Sequence, residues 1–182
     1  MDSRNMTRIR MMARLALLAG ICLVTSAAQL SCNSNGTGMV SNGDSFSTQL
    51  TLRAISQEQN TDFVFGVPIR LDFEIDNLTD RAAHVQFADS HTFDFVIMNA
   101  GTTQVRWKWS DGQTFTPNAT ELTFEPFASK TFTVIWSGAL ADGSHLPVGN
   151  YQARGLLVFD GFTANPLATN EMASSLKSFS VH

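Results

Sequence analysis

The stretch FGVPIRLDFEIDN, Phe65 to Asn77, sorts its side chains by parity. Val67, Ile69, Leu71, Phe73 and Ile75 hold one set of alternate positions, and Arg70, Asp72, Glu74 and Asp76 hold the other. In an extended chain successive side chains point to opposite faces, so this pattern predicts a strand with an apolar inner face and a wet outer one. The same rhythm continues on both sides. Upstream, Phe46 to Ala54 sets Leu50 and Leu52 inward and Gln49, Thr51 and Arg53 outward. Downstream, Val85 and Phe87 alternate with His84 and Gln86, and Leu122 and Phe124 with Glu121, Thr123 and Glu125. Phe132, Val134 and Trp136 alternate with Thr131 and Thr133, and Phe179 with Val181 closes the chain. Phe93 to Asn99 and the end of Tyr151 to Phe159 are apolar on both parities, which predicts strands covered on both faces.

Turn chemistry separates these runs. The clusters NLTD (77–80), DSHT (89–92), NAGT (99–102), SDGQ (110–113), ADGS (141–144) and PVGN (147–150) recur at hairpin-like intervals. Beyond residue 46 no segment keeps a helical period over three turns. Many short strands without helices predict an all-β fold, an immunoglobulin-like Greek-key β-sandwich of about eight or nine antiparallel strands.

The stretch QVRWKWSDGQTF, Gln104 to Phe115, fits the same scheme. Val105, Trp107 and Trp109 share one parity and Arg106 and Lys108 the other, so the indoles are expected to fill the sheet interior. Asp111-Gly112 then suits a turn at positive φ that returns the chain toward Phe115.

The totals agree with a folded domain: 182 residues, 43% hydrophobic, with fourteen Phe and three Trp. The first 31 residues differ from the rest. Arg4, Arg8, Arg10 and Arg14 precede an apolar run from Leu15 to about Ala28 that ends in TSAAQLSC. That run is short for a bilayer span and reads as an export signal, with a short membrane anchor as the rival. Two cleavage outcomes stay open. Ser26 and Ala28 suit a cut before Gln29, whereas QLSC resembles the lipobox of bacterial lipoproteins with Cys32 as the lipid-bearing residue, although Gln29 stands where an aliphatic residue is usual. Residues 32–45, rich in Gly, Ser and Asn, read as a flexible tether, and residues 46–182 as the domain. The expected location is the bacterial cell envelope, with membrane contact only through that lipid.

The leader holds four of the twelve Lys and Arg and one of the sixteen acids, so the remainder carries eight against fifteen, a net −7. An acidic domain disfavours nucleic acid as a partner. Cys22 lies inside the apolar run, which leaves Cys32 without an intramolecular disulfide partner.

Three further stretches, FEIDNLTDRAAHVQFADSHTFDFVIMNAGTTQVRWKWSDGQTF, LTFEPFASKTFTVIW and GSHLPVGNYQARGLLV, carry an ordered set of motifs. Asn77-x-Thr79 follows a charged and apolar strand, and Phe93-Asp94-Phe95 precedes an aliphatic pair. Gly101 precedes Trp107-x-Trp109-Ser110, Trp136 ends the second stretch, and Gly149-x-Tyr151 starts a late strand. In this order the motifs resemble the BsuPI family of intracellular proteinase inhibitors over about residues 67–158. The resemblance implies an immunoglobulin-like sandwich and a protease, such as a serine protease, as partner. Two places depart from the family pattern. Ser90-His91-Thr92 stands for a small-Gly-Gln run, and Pro126-Phe127-Ala128 for a Pro-Gly-Glu turn.

A search for chemistry yields little. Asp89, His91 and Asp94 lie close in sequence, but no second His sits at ligand spacing, so Asp89 and His91 read as solvated turn residues. Asp94, between two phenylalanines, needs a partner, either a structural hydrogen bond or an ion pair with a cation such as Arg106. The sequons at Asn35, Asn77 and Asn118 read as turns. No catalytic residue, metal or cofactor is indicated, and the oligomeric state is open. Two non-enzymatic readings follow. In one, loops on a rigid sandwich fill a protease cleft, with DGFTANPLATNEM (Asp160–Met172) as the longest loop and Thr163, Asn165, Pro166, Leu167 and Ala168 as its candidate contacts. In the other, the domain is an envelope module that binds or spaces other proteins without inhibiting any.

Overall fold

The computed structural model describes residues 45–56, 58–158 and 172–182. Ten strands occur among them: β1 (Phe46–Arg53), β2 (Asp62–Phe63), β3 (Ile69–Asn77), β4 (Ala83–Phe87), β5 (Phe93–Asn99), β6 (Val105–Lys108), β7 (Thr120–Phe124), β8 (Ser129–Trp136), β9 (Gly149–Leu157) and β10 (Lys177–Val181). Among the described residues the one helical piece is a short 3-10 turn, Trp109–Gly112. The chain is an all-β sandwich. One sheet has the order β1-β3-β8, a second β2-β10-β9-β5-β6, and β4 and β7 form a separate pair. In the five-stranded sheet β9 lies between β5 and β10.

The alternation of β3 explains its central place. It pairs along its whole length with β1, from Phe46↔Asn77 to Arg53↔Arg70, and with β8, from Ile69↔Trp136 to Asp76↔Ser129. Ile69, Leu71, Phe73 and Ile75 are buried with Leu50 and Leu52 of β1. Across the core they meet Phe95, Ile97, Tyr151, Ala153, Leu157, Phe179 and Val181 of the other sheet. Phe73 touches Phe132 and Phe95, with ring centroids 6.1 and 6.5 Å apart. Gly155 makes this closeness possible, because a Cβ there would lie 2.5 Å from Phe73 Cγ.

β5 is covered on both faces, as its double apolar parity predicts. Val96 and Met98 point away from the main core and form a second apolar cluster with Leu156 and Ala173. The wet face of the other sheet is more closed than alternation implies. Asp72 is only 8% exposed, because Arg53, Arg70 and Thr133 converge on its carboxylate at 3.0, 2.8 and 2.7 Å. Burial pushes that carboxyl up, but the bonds from Thr133, Arg70 and Arg53 outweigh it and hold it below the usual carboxylate range.

Several expectations are corrected. There are ten strands among the described residues, not eight or nine, and β2 runs parallel to β10, through Asp62 and Phe63 opposite Ser180 and Val181. β3 begins at Ile69, and Val67 is 41% exposed. Gly66 at φ 76 and the Val67 N–H bond to Val64 O make a turn there, and Pro68 has no N–H to extend the ladder. β6 stops at Lys108, and Val105 is 38% exposed at its open start on the sheet edge. The Asp111-Gly112 corner lies in the 3-10 turn without positive φ at the glycine. Trp107 and Trp109 are half-buried, packing on the rim of the core instead of filling it.

Candidate functional site

The loops are held by a few polar side chains that the strands deliver to their ends. Asn77, the last residue of β3, is 1% exposed. Its Nδ2 donates to the carbonyls of Arg81, Phe124 and Glu125 at 2.7, 3.1 and 3.1 Å. Its Oδ1 accepts the Thr79 N–H at 3.0 Å and the Thr79 hydroxyl at 2.8 Å. The Asn77 N–H donates to Ala128 O, and the Phe127 N–H to Thr79 O. One buried amide thus ties the β3–β4 loop to the β7–β8 loop, and Asn-x-Thr is the spacing an Asx turn needs.

The β7–β8 loop that it clamps is a tight turn, closed by the Ala128 N–H bond to Glu125 O. Pro126 occupies the second position, where its fixed φ is favoured. Phe127 occupies the third at φ 54, the one non-glycine residue at positive φ among the described residues. A side chain with a Cβ pays steric strain of about 1–2 kcal/mol there relative to glycine. The Phe127 side chain is 72% exposed, and Leu78, beside Thr79, is 51% exposed. Sequence reading finds the turn from Pro126 but not the conformation of Phe127, since glycine or asparagine is the usual signal for it.

Asp94 anchors a second loop. It is 4% exposed and accepts the Ser110 N–H at 3.1 Å and the Ser110 hydroxyl at 2.5 Å, besides the Phe95 N–H. These bonds curl the chain after β6 into the 3-10 turn. Arg106 is therefore not its ion-pair partner, and the Arg106 Nε is buried without a hydrogen bond. His91 is not a solvated turn residue either. Its N–H caps Asp89 Oδ1, its ring stacks on Phe115 at 4.2 Å, and its Nε2 lies 3.6 Å from Asp94 Oδ2. Trp109 stacks on Phe93 at 4.4 Å, and Phe93 lies 4.7 Å from Phe132. Trp107 stacks on Trp136 at 4.9 Å, with Trp136 Nε1 donating to Ala139 O at 2.8 Å.

Gly149 and Tyr151 form the corner into β9. The Tyr151 hydroxyl donates to Pro147 O at 2.8 Å, folding the ring back over the backbone. A Cβ on Gly149 would lie 3.3 Å from that hydroxyl, a tight contact that glycine avoids. Burial pushes the phenol pKa up. Gly101, at φ 69, turns the β5–β6 hairpin.

Cys32 and the candidate contacts Thr163, Asn165, Pro166, Leu167 and Ala168 lie outside the described residues. Among the described residues no three His, Cys, Asp or Glu side chains gather to hold a metal, and no helix is long and apolar enough to cross a membrane. What the geometry offers is a set of loops whose backbones are fixed by buried hydrogen bonds, and in the β3–β4 and β7–β8 loops Leu78 and Phe127 face outward.

Solved structures give only a faint likeness. A Pseudomonas fluorescens alkylpurine DNA glycosylase, AlkC, bound to abasic-site DNA, aligns at TM-score 0.43 and 11% identity, over 76% of this chain and 30% of its own. A Listeria innocua β-glucosidase with glucose aligns at 0.39 and 9%, over 75% and 16%. The CARDB domain of the PF1109 protein from Pyrococcus furiosus, with di-metal ions, aligns at 0.36 and 12%, over 74% and 93%. The chain thus spans less than a third of the first two proteins, and scores of this size carry no argument about its function. No curated protein matches the sequence. Residues 50–161, more than half of the chain, match the family described as BsuPI, intracellular proteinase inhibitor. With that match, this chain belongs to the BsuPI family of intracellular proteinase inhibitors.

Proposed function

We propose that this protein is a non-catalytic inhibitor that binds a protease through loops presented by the sandwich. The family match over residues 50–161 carries the reading. The loop geometry supports it, because loops whose backbone is already fixed by Asn77, Asp94 and Tyr151 lose little conformational freedom when a partner docks on them. In this reading the chain is exported to a bacterial envelope and held there by lipid on Cys32, and Pro166-Leu167-Ala168 is a further contact.

The test is titration of a panel of serine proteases with the purified full-length chain. Loss of activity that saturates at a stoichiometric ratio is the expected result. If every protease keeps full activity, the inhibitor reading is wrong and the envelope-module reading takes its place. Cys32→Ser should move the protein from the membrane fraction to the soluble one, and an unchanged distribution would refute the lipid anchor.

A further inference from the structure

We infer that Phe127 is the anchor by which this protein grips its protease, and that the pocket it enters is one built for a large aromatic side chain. The inference rests on the inhibitor reading and adds to it a residue and a specificity class. Phe127 is the most exposed large apolar side chain among the described residues, at 72%. Its backbone stands at φ 54, where glycine would close the same turn without strain. Neither packing nor turn formation therefore calls for phenylalanine here. Strain and exposure at one residue point to a contribution made outside the fold.

The support beneath Phe127 is rigid. Its N–H is held by Thr79 O, the flanking Glu125 and Ala128 carbonyls by Asn77, and Asn77 is itself buried. An aromatic ring on such a platform has the character of a binding hot spot, a large contact area with little entropy to lose. Within four residues of Phe127 or of Thr79, whose carbonyl it bonds, the charges are Asp76, Asp80 and Glu125 against Arg81 and Lys130. That acidic excess opposes insertion into an anionic lipid surface and favours a protein pocket. The left-handed φ also sets Phe127 apart from an extended strand, in which φ is near −120°. A ring can thus fill the pocket while the adjoining peptide bond stays out of the extended geometry.

The test compares chymotrypsin, trypsin and elastase, whose primary pockets are a hydrophobic slot, an acid-based pocket and a small pocket respectively. The full-length chain should inhibit chymotrypsin most strongly. Phe127→Gly should weaken that inhibition about thirtyfold or more, the size expected of a hot-spot residue, while melting no lower than the unaltered protein. Phe127→Lys should shift inhibition toward trypsin. Phe127→Gly inhibiting chymotrypsin as well as the unaltered chain would overturn the anchor and leave the inhibitor reading standing. So would preferential inhibition of trypsin or elastase by the unaltered chain, or a lower melting temperature for Phe127→Gly, which would make the ring part of the fold. Failure of the unaltered chain against all three and against the wider panel would remove both readings. Vesicle binding lost in Phe127→Gly, without protease inhibition, would reassign the ring to lipid.

Discussion

Gly155→Ala is expected to be among the most damaging small substitutions in this protein. A Cβ at position 155 would stand 2.5 Å from Phe73 Cγ, 2.7 Å from its Cβ and 2.8 Å from its Cδ2. Carbon atoms in good contact lie about 3.5–4.0 Å apart, so the added methyl overlaps three atoms by roughly 1 Å. Phe73 cannot step aside. It is fully buried, and Phe132 and Phe95 close two of its sides. The overlap involves the root of the ring and the Cβ, so side-chain rotation alone does not relieve it. Relief requires the two sheets to separate locally, and overpacking of this kind costs about 1–3 kcal/mol or more. At about 2–4 °C per kcal/mol, a cost at the upper end lowers the melting temperature by roughly 6–12 °C. Thermal denaturation followed by far-ultraviolet circular dichroism would measure it. Phe73→Ala alone should also destabilise by removing ring contacts. In the double variant the two losses should fall short of their sum by about 1 kcal/mol or more, because truncation at Cβ removes two of the three overlapped atoms, Cγ and Cδ2. Gly112→Ala is the control. Its Cβ would meet nothing within 4 Å, and its effect should stay within about 0.5 kcal/mol. If Gly155→Ala were as mild as Gly112→Ala, or the double variant strictly additive, the close approach of β9 to Phe73 would be wrong.

Three further substitutions test the polar pins. Tyr151→Phe keeps the ring but removes the bond to Pro147 O, and should cost about 1 kcal/mol in urea denaturation, whereas an unchanged midpoint would discount the corner. Ser110→Ala removes a hydroxyl bonded to the buried Asp94 carboxylate, and should cost about 1.5 kcal/mol or more, against a reading of less than 0.5 kcal/mol if the loop holds without it. Asp72→Asn should cost about 1 kcal/mol at neutral pH, a figure kept low by the partial exposure of Arg53 and Arg70. Because the folded-state pKa of Asp72 lies below its unfolded value of about 3.9, its contribution is complete above that pH and lost as pH falls through the folded value. The gap between the two proteins should therefore close in acid below about pH 4, and a gap that widened there would contradict the network.

Alternation in sequence reports which face a residue points to, and it does so well here. Leu50, Leu52, Ile69, Leu71, Phe73 and Ile75 are read inward by parity and are buried. Parity does not report how covered a face is. Asp72 has the parity of a solvated residue and is nevertheless enclosed, because two arginines and a threonine on three different strands reach it, and strand pairing is set by long-range register. The same limit explains Trp109. Its parity continues that of Trp107, yet the strand ends one residue earlier because Ser110 turns toward Asp94, sixteen residues away. A two-residue strand such as β2 has too few side chains to show any alternation, and its partner lies at the far end of the chain.

The loops divide along a similar line. Asn77-x-Thr79 and Gly149-x-Tyr151 are visible as spacings, since an Asx turn and a ring folded onto a glycine each work within a few residues. What those anchors hold is not local. Asn77 fixes the carbonyls of Phe124 and Glu125, 47 and 48 residues on, and through them the turn that carries Phe127. Pro126 announces that turn, but the residue after it is one that turn statistics would not choose. Where local preference and observed backbone disagree, the surrounding structure has overruled the residue, and here the surrounding structure is the Asn77 clamp. The clamp and the strain are thus two aspects of one device. Loosening it with Asn77→Ala should let Phe127 leave the left-handed region, so that this variant loses the rigidity of the turn as well as stability, whereas Phe127→Gly loses neither.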